Sequence, residues 1–120
     1  MLTIRKEQFA VFEKHEIKKF EDPTYLHLNI LYPERCQDIG EPRLRRMIQY
    51  GIKRAASYGI RLENDVRKYI EVMLLLGPDF DKDPKFPWAA SLLNDKDLGD
   101  PKVKATRLHE TARKSLPNQA

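Results

Sequence analysis

Residues 58–95, YGIRLENDVRKYIEVMLLLGPDFDKDPKFPWAASLLND, decide the fold. Within them the segment from Leu62 to Leu76 has the length of a helix, and its charges (Glu63, Asp65, Arg67, Lys68, Glu71) give way to the run Val72-Met73-Leu74-Leu75-Leu76. A helix that is apolar all round needs neighbours all round, so this second half is expected at the centre of a core. Acids near the helix start suit its dipole, and Gly77-Pro78 stops it. An acid- and proline-rich turn follows. Pro87 then opens a short helix from which Trp88, the only tryptophan, Leu92 and Leu93 can face inward.

Working outward, residues 42–58 carry Leu44, Met47, Ile48, Gly51, Ile52 and Ala55 at i, i+3, i+4, i+7, i+8 and i+11, the stripe of an amphipathic helix. An interior glycine costs about 1 kcal/mol relative to alanine, so Gly51 in that stripe implies close approach by another helix. Gly59 supplies the left-handed residue that ends this one. Upstream, Ile4 to Glu21 lacks proline and glycine and places Phe9, Phe12, Ile17 and Phe20 in one arc, with Thr3 available as N-cap. Asp22-Pro23 either kinks that helix or ends it and begins another. Tyr25 to Tyr32 alternates like a strand, but a lone strand would be marginal, and Leu28, Leu31 and Tyr32 share a helical face; helix is the expectation. Pro33 is expected to close it, with Cys36 to Glu41 as a connecting turn. Asp100-Pro101 starts a last helix through Val103, Leu108 and Ala112 to Leu116. The fold class that results is all-α: a single small bundle of five or six helices with irregular crossings over residues 1–116, followed by a disordered tail at 117–120.

Composition agrees with one folded domain. A chain of 120 residues buries roughly two-thirds of its unfolded surface. With 41% hydrophobic and 33% charged residues it combines a packed interior with a densely ionised exterior. No apolar run approaches the ~20 residues of a membrane span, and MLTIRKEQ lacks the apolar middle of a signal peptide, so the expected location is cytoplasmic. Cys36 is the single cysteine, which excludes an intramolecular disulfide and most thiolate zinc sites.

Candidate chemistry is sparse. Asp79, Asp81 and Asp83 have the 1, 3, 5 spacing that opens an EF-hand, but Pro84 stands where the loop needs glycine and Ala90 where it needs a bidentate glutamate. These aspartates are better read as caps and turn braces. His15, His27 and His109 are too far apart to define a metal site by spacing, and Cys36, Ser57 and Ser91 lack any nucleophile motif. No catalytic residue, metal or cofactor is assigned, and the expectation is a protein without enzymatic activity.

Charge is the one functional signal. Residues 41–58 carry Arg43, Arg45, Arg46, Lys53 and Arg54 against Glu41 alone, a balance of +4 that equals the net charge of the whole chain. The helix face opposite the apolar stripe centres on Arg46, Tyr50, Lys53 and Ser57. Such a face is either simply solvated or a binding surface. Followed by the segment from Leu62, it superficially matches a helix-turn-helix, yet there the second helix enters the DNA groove, and here the second helix is the apolar one. Nucleic acid is therefore disfavoured, and an acidic protein partner fits better, with Arg43, Arg46, Tyr50, Lys53 and Arg54 as the candidate protein-binding residues.

The pattern YGI-x-x-E-x-DV-x-x-YI-x-x-M-x-x-LGPDFD-x-DP-x-x-PWA, here Tyr58 to Ala89, resembles a group of small helical bacterial proteins encoded beside type VI secretion effectors, spike proteins and effector-adaptor chaperones. The likeness extends more loosely over residues 3–113, including Glu7-Gln8 and Pro33-Glu34-Arg35-Cys36, and departs from the pattern at Pro23 and Arg61. The resemblance implies a cytoplasmic co-chaperone or adaptor that helps load an effector, its partner being the effector or adaptor chaperone encoded nearby. It carries over no functional residues. A small basic nucleic-acid-binding protein and an immunity protein against a neighbouring toxin are the alternatives.

Overall fold

A computed structural model describes residues 14–115. The expectations for Thr3, Phe9, Phe12 and the tail at 117–120 concern residues outside this range. Among the described residues there are six α-helices, one 3-10 turn and no strand: α1 (Lys14–Leu31), α2 (Pro33–Ile39), α3 (Glu41–Ser57), α4 (Glu63–Leu76), the 3-10 turn Phe80–Lys82, α5 (Pro87–Leu93) and α6 (Pro101–Lys114). The all-α bundle is what the sequence implies.

α4 is the axis. From Tyr69 to Leu75 every side chain is buried, and the helix packs most extensively against α6 and α3 and more narrowly against α1. The stripe of α3 that the periodicity singled out is the one that faces it, with Leu44, Ile48, Ile52 and Ala55 wholly buried. α6 reaches α4 through a stripe of Ala105, Leu108 and Ala112, whose small members allow close packing. Lys68 of α4 donates to the Thr106 hydroxyl at 3.1 Å, and Lys104 of α6 donates to the Leu93 carbonyl at 2.9 Å, fastening α5 and α6 around the core. Asp100 caps α6 by accepting from the Lys102 amide at 3.0 Å.

One of the two alternatives at Pro23 is excluded, and the turn expected at residues 36–41 is corrected. Pro23 neither ends nor divides α1, because Phe20 and Glu21 before it and Thr24 and Leu28 after it are all buried, and this anchoring on both sides outweighs the missing backbone donor. Residues 36–41 are not a turn. Tyr32, at φ −135°, breaks the helix for one residue, and Pro33 then occupies the first position of α2, whose inner face buries Cys36. Gly40, at φ +87°, alone links α2 to α3.

Gly51 sets the distance between α3 and α4. A Cβ placed there would lie 2.7 Å from Ile70 Cγ1 and 2.8 Å from Met73 Sδ, closer than carbon and sulfur tolerate. Gly51→Ala gains about 1 kcal/mol of helix propensity and incurs about 1–3 kcal/mol of overpacking. The expected outcome is a net loss of about 1 kcal/mol, read as a lower urea midpoint, whereas Ala56→Gly on the outer side of α3 loses stability through propensity alone.

Candidate functional site

α3 presents a second stripe beside its core face. Arg43, Arg46, Met47 and Tyr50 stand at i, i+3, i+4 and i+7, and with Ile39 from the end of α2 and Met73, Leu74, Gly77 and Pro78 from the end of α4 they enclose a groove of about 410 Å³. Its floor is apolar: Met73 and Leu74 are buried, Met47 and Ile39 partly so. The rim is basic and aromatic, since Arg43, Arg46 and Tyr50 are exposed. Gly77, at φ +113°, turns the chain away at the end of α4 and adds no side chain to that wall.

The five candidate residues fall into three situations. Arg43, Arg46 and Lys53 are exposed and have no ion-pair or hydrogen-bonding partner among the described residues. Tyr50 is 40% exposed, and its hydroxyl donates to Asp79 Oδ1 at 2.6 Å; this bond raises the tyrosine pKa and fixes the ring along the rim. Arg54, by contrast, is turned inward, where Nη2 donates to the carboxylate of the fully buried Asp81. Tyr58 donates to the same Asp81 oxygen at 2.6 Å, and burial together with that bond pushes the Tyr58 pKa up to about 12. The Tyr58 ring meets Tyr69 in a tilted contact at 6.2 Å between centres, and Tyr69 meets Phe80 likewise at 5.1 Å, which joins the Arg54–Asp81 pair to the aromatic part of the core. Arg54 therefore leaves the list of free surface cations and becomes part of the scaffold.

Arg45 is also spent internally. Its Nη1 lies 2.7 Å from both Glu21 Oε2 and Asp22 Oδ1, its Nε 2.9 Å from Glu41 Oε2, and its guanidinium 4.5 Å from the Tyr25 ring centre. Gln49 satisfies the other oxygen of buried Glu21 at 2.9 Å. Of the basic charge concentrated on α3, the share without an internal partner among the described residues is thus Arg43, Arg46 and Lys53. The aspartates of the turn serve separate duties: Asp79 accepts from Tyr50, Asp81 from Arg54 and Tyr58, and Asp83 from the Lys85 amide at 2.9 Å.

A polar hub was not foreseen. Glu71, 5% exposed, receives His109 Nε2 at 2.8 Å and the Tyr32 hydroxyl at 3.1 Å on one oxygen and His27 Nε2 at 3.2 Å on the other. Burial works against the ionised carboxyl, but the bonds from His109, His27 and Tyr32 outweigh it and hold its pKa below the ordinary value. Burial, then the nearby Glu71 charge, pushes the Tyr32 pKa up to about 12. The hub joins α1, α4 and α6. Its signal in the sequence was the position of Glu71, an acid one residue before an all-apolar run, where a buried charge demands partners. Among the described residues no three His, Cys, Asp or Glu side chains are grouped to hold a metal ion, and no helix is long and apolar enough to cross a membrane. Compared with family models, curated proteins and solved structures, the chain matches none of them.

Two measurements probe these internal contacts. Because the folded Glu71 pKa lies below its unfolded value, its contribution is full above about pH 4.5 and is lost as pH falls through the folded value. Glu71→Gln is expected to lower stability by about 1–3 kcal/mol at pH 7, with the gap to wild type closing below pH 4.5 in urea titrations. Asp81→Ala leaves the Arg54 guanidinium without its counter-charge and is expected to cost about 3 kcal/mol, part of which the double replacement Arg54→Met with Asp81→Leu restores.

Proposed function

We propose that this chain is a non-enzymatic protein-binding accessory factor whose contact surface is the free basic stripe of α3. One observation carries the reading: Arg45 and Arg54 are neutralised within the fold, whereas Arg43, Arg46 and Lys53 on the same helix project to solvent without a counter-charge among the described residues. Arginine is favoured at interface hot spots because its planar fork pairs carboxylates bidentately. Tyr50, held in place by Asp79, adds a rigid amphipathic contact. Nucleic acid is the weaker reading, since α4, the helix that would have to enter the DNA groove, is buried through its second half.

The resemblance of residues 58–89 suggests who the partner is: a type VI secretion effector, or the adaptor chaperone that loads it, with this chain acting as co-chaperone or adaptor in the cytoplasm. The scaffold that resemblance rests on, α4 and the turn after it, is the part that fixes the position of the basic stripe. Binding, and not chemistry, is the output.

The test is copurification with the effector or adaptor encoded beside the gene, read on a sizing column and by calorimetry. Arg43→Glu, Arg46→Glu and Lys53→Glu together are expected to weaken the complex about tenfold or more while leaving the helical signal unchanged. A complex of undiminished affinity removes this face from the reading. Affinity for random duplex DNA that falls steeply with salt favours the nucleic-acid alternative instead.

A further inference from the structure

The groove beside the basic stripe has a more specific use, which rests on the protein-binding reading above. We propose that the α3–α4 groove seats a short acidic amphipathic segment of the partner: an apolar side chain enters over Met47, Met73 and Leu74, and carboxylates within one turn of it pair with Arg43 and Arg46. Four features of the molecule support this. The space, about 410 Å³, falls in the range of about 300–1,000 Å³ in which concave sites bind. Two methionines contribute to its lining, and thioether side chains adapt to apolar groups of varied shape, as suits a site that must accept a side chain of another protein. Arg43 and Arg46 stand one turn apart on the same rim, both exposed and without a counter-charge among the described residues, so a carboxylate arriving there meets donors that break no bond within residues 14–115. Tyr50 is already fixed by Asp79, which lowers the ordering cost of contact.

Length points to the form of the occupant. From Arg43 to Tyr50 the α3 wall covers about 10 Å, two turns at 1.5 Å per residue, which matches one or two anchors of a docking helix at i and i+4. Charge also disfavours a second copy of this chain as occupant. In a two-fold dimer through this face the same patch meets itself, setting Arg43 and Arg46 of each copy against those of the other.

The experiment is selection of random displayed peptides about three helical turns long on the immobilised full chain, followed by calorimetry of the enriched peptides. The expected result is peptides with Leu, Ile, Phe or Met flanked within one turn by Asp or Glu. Their affinity should drop about tenfold or more for Met47→Lys and, separately, for Arg43→Glu with Arg46→Glu. Arg107→Glu on the exposed side of α6 should leave it within about twofold. The arginine variants break no hydrogen bond or ion pair among the described residues, so they keep the test valid should Met47→Lys perturb folding. Enrichment of neutral or basic peptides, or of none, overturns the proposal. So does sodium dodecanoate saturating the groove where no peptide does, or a concentration-dependent dimer that Met47→Lys abolishes. A native-partner complex that forms yet ignores Met47→Lys and the arginine pair removes the groove while leaving protein binding in place; no complex with any native partner removes the accessory-factor reading, whatever the peptides do.

Discussion

The contact between α3 and α4 at Gly51 is the constraint from which the rest follows. With no side chain at that position, the backbone of α3 settles against Ile70 and Met73, and the two helices meet more closely than larger residues would allow. Met73 is shared: one side of it meets Gly51, and it also lines the groove. The shape of the groove is therefore coupled to the packing of α3 on α4. Met73 on the groove floor is held by that packing, whereas Met47, only partly buried, keeps the freedom to adapt to an incoming group.

Placing α4 at the centre has an electrostatic consequence. Asp65 and Glu71 on α4, and Asp81 just beyond it, are all buried, and buried acids destabilise unless partners meet them. Asp65 sits in the first turn of its helix, where the backbone amides favour negative charge. Glu71 draws in two histidines and a tyrosine, and Asp81 draws in Arg54 and Tyr58. What remains outside is what the interior did not consume. The division of the α3 arginines, two committed and two without a partner among the described residues, follows from which of them lie within reach of those acids and of Glu21.

The helical architecture was legible because it rests on local signals: the period of Leu44 to Ala55, the apolar run after Glu71, Gly59 and Gly77 at positive φ, and prolines at the first positions of α5 and α6. Gly51 could be read as a close approach for the same reason. At Pro23 the sequence left two outcomes open, and Pro33 was read as closing one helix without also opening the next, so that residues 36–41 were misread as a turn; whether a proline breaks a helix, kinks it or starts another depends on what is buried on either side. The basic stripe was visible as a count of charges, but not its partition: Arg54 and Arg46 look alike in sequence, and only the position of Asp81, 27 residues away, separates them. The groove needed the end of α4 to be placed beside α3. The Glu71 hub depended on helices from opposite ends of the chain.

The reach of the Glu71 hub along the chain bears on how the molecule is made. The partners of Glu71 lie 44 and 39 residues before it and 38 after it. A chain emerging from the ribosome therefore presents α4 while α6 is still being synthesised, with one of the three donors to its buried acid missing. Until His109 arrives, the central helix has neither its full polar complement nor the Ala105–Ala112 surface that covers it. Completion of the native state is thereby tied to α6, and a product truncated before it is left with an oily, partly unneutralised helix open to quality-control proteases.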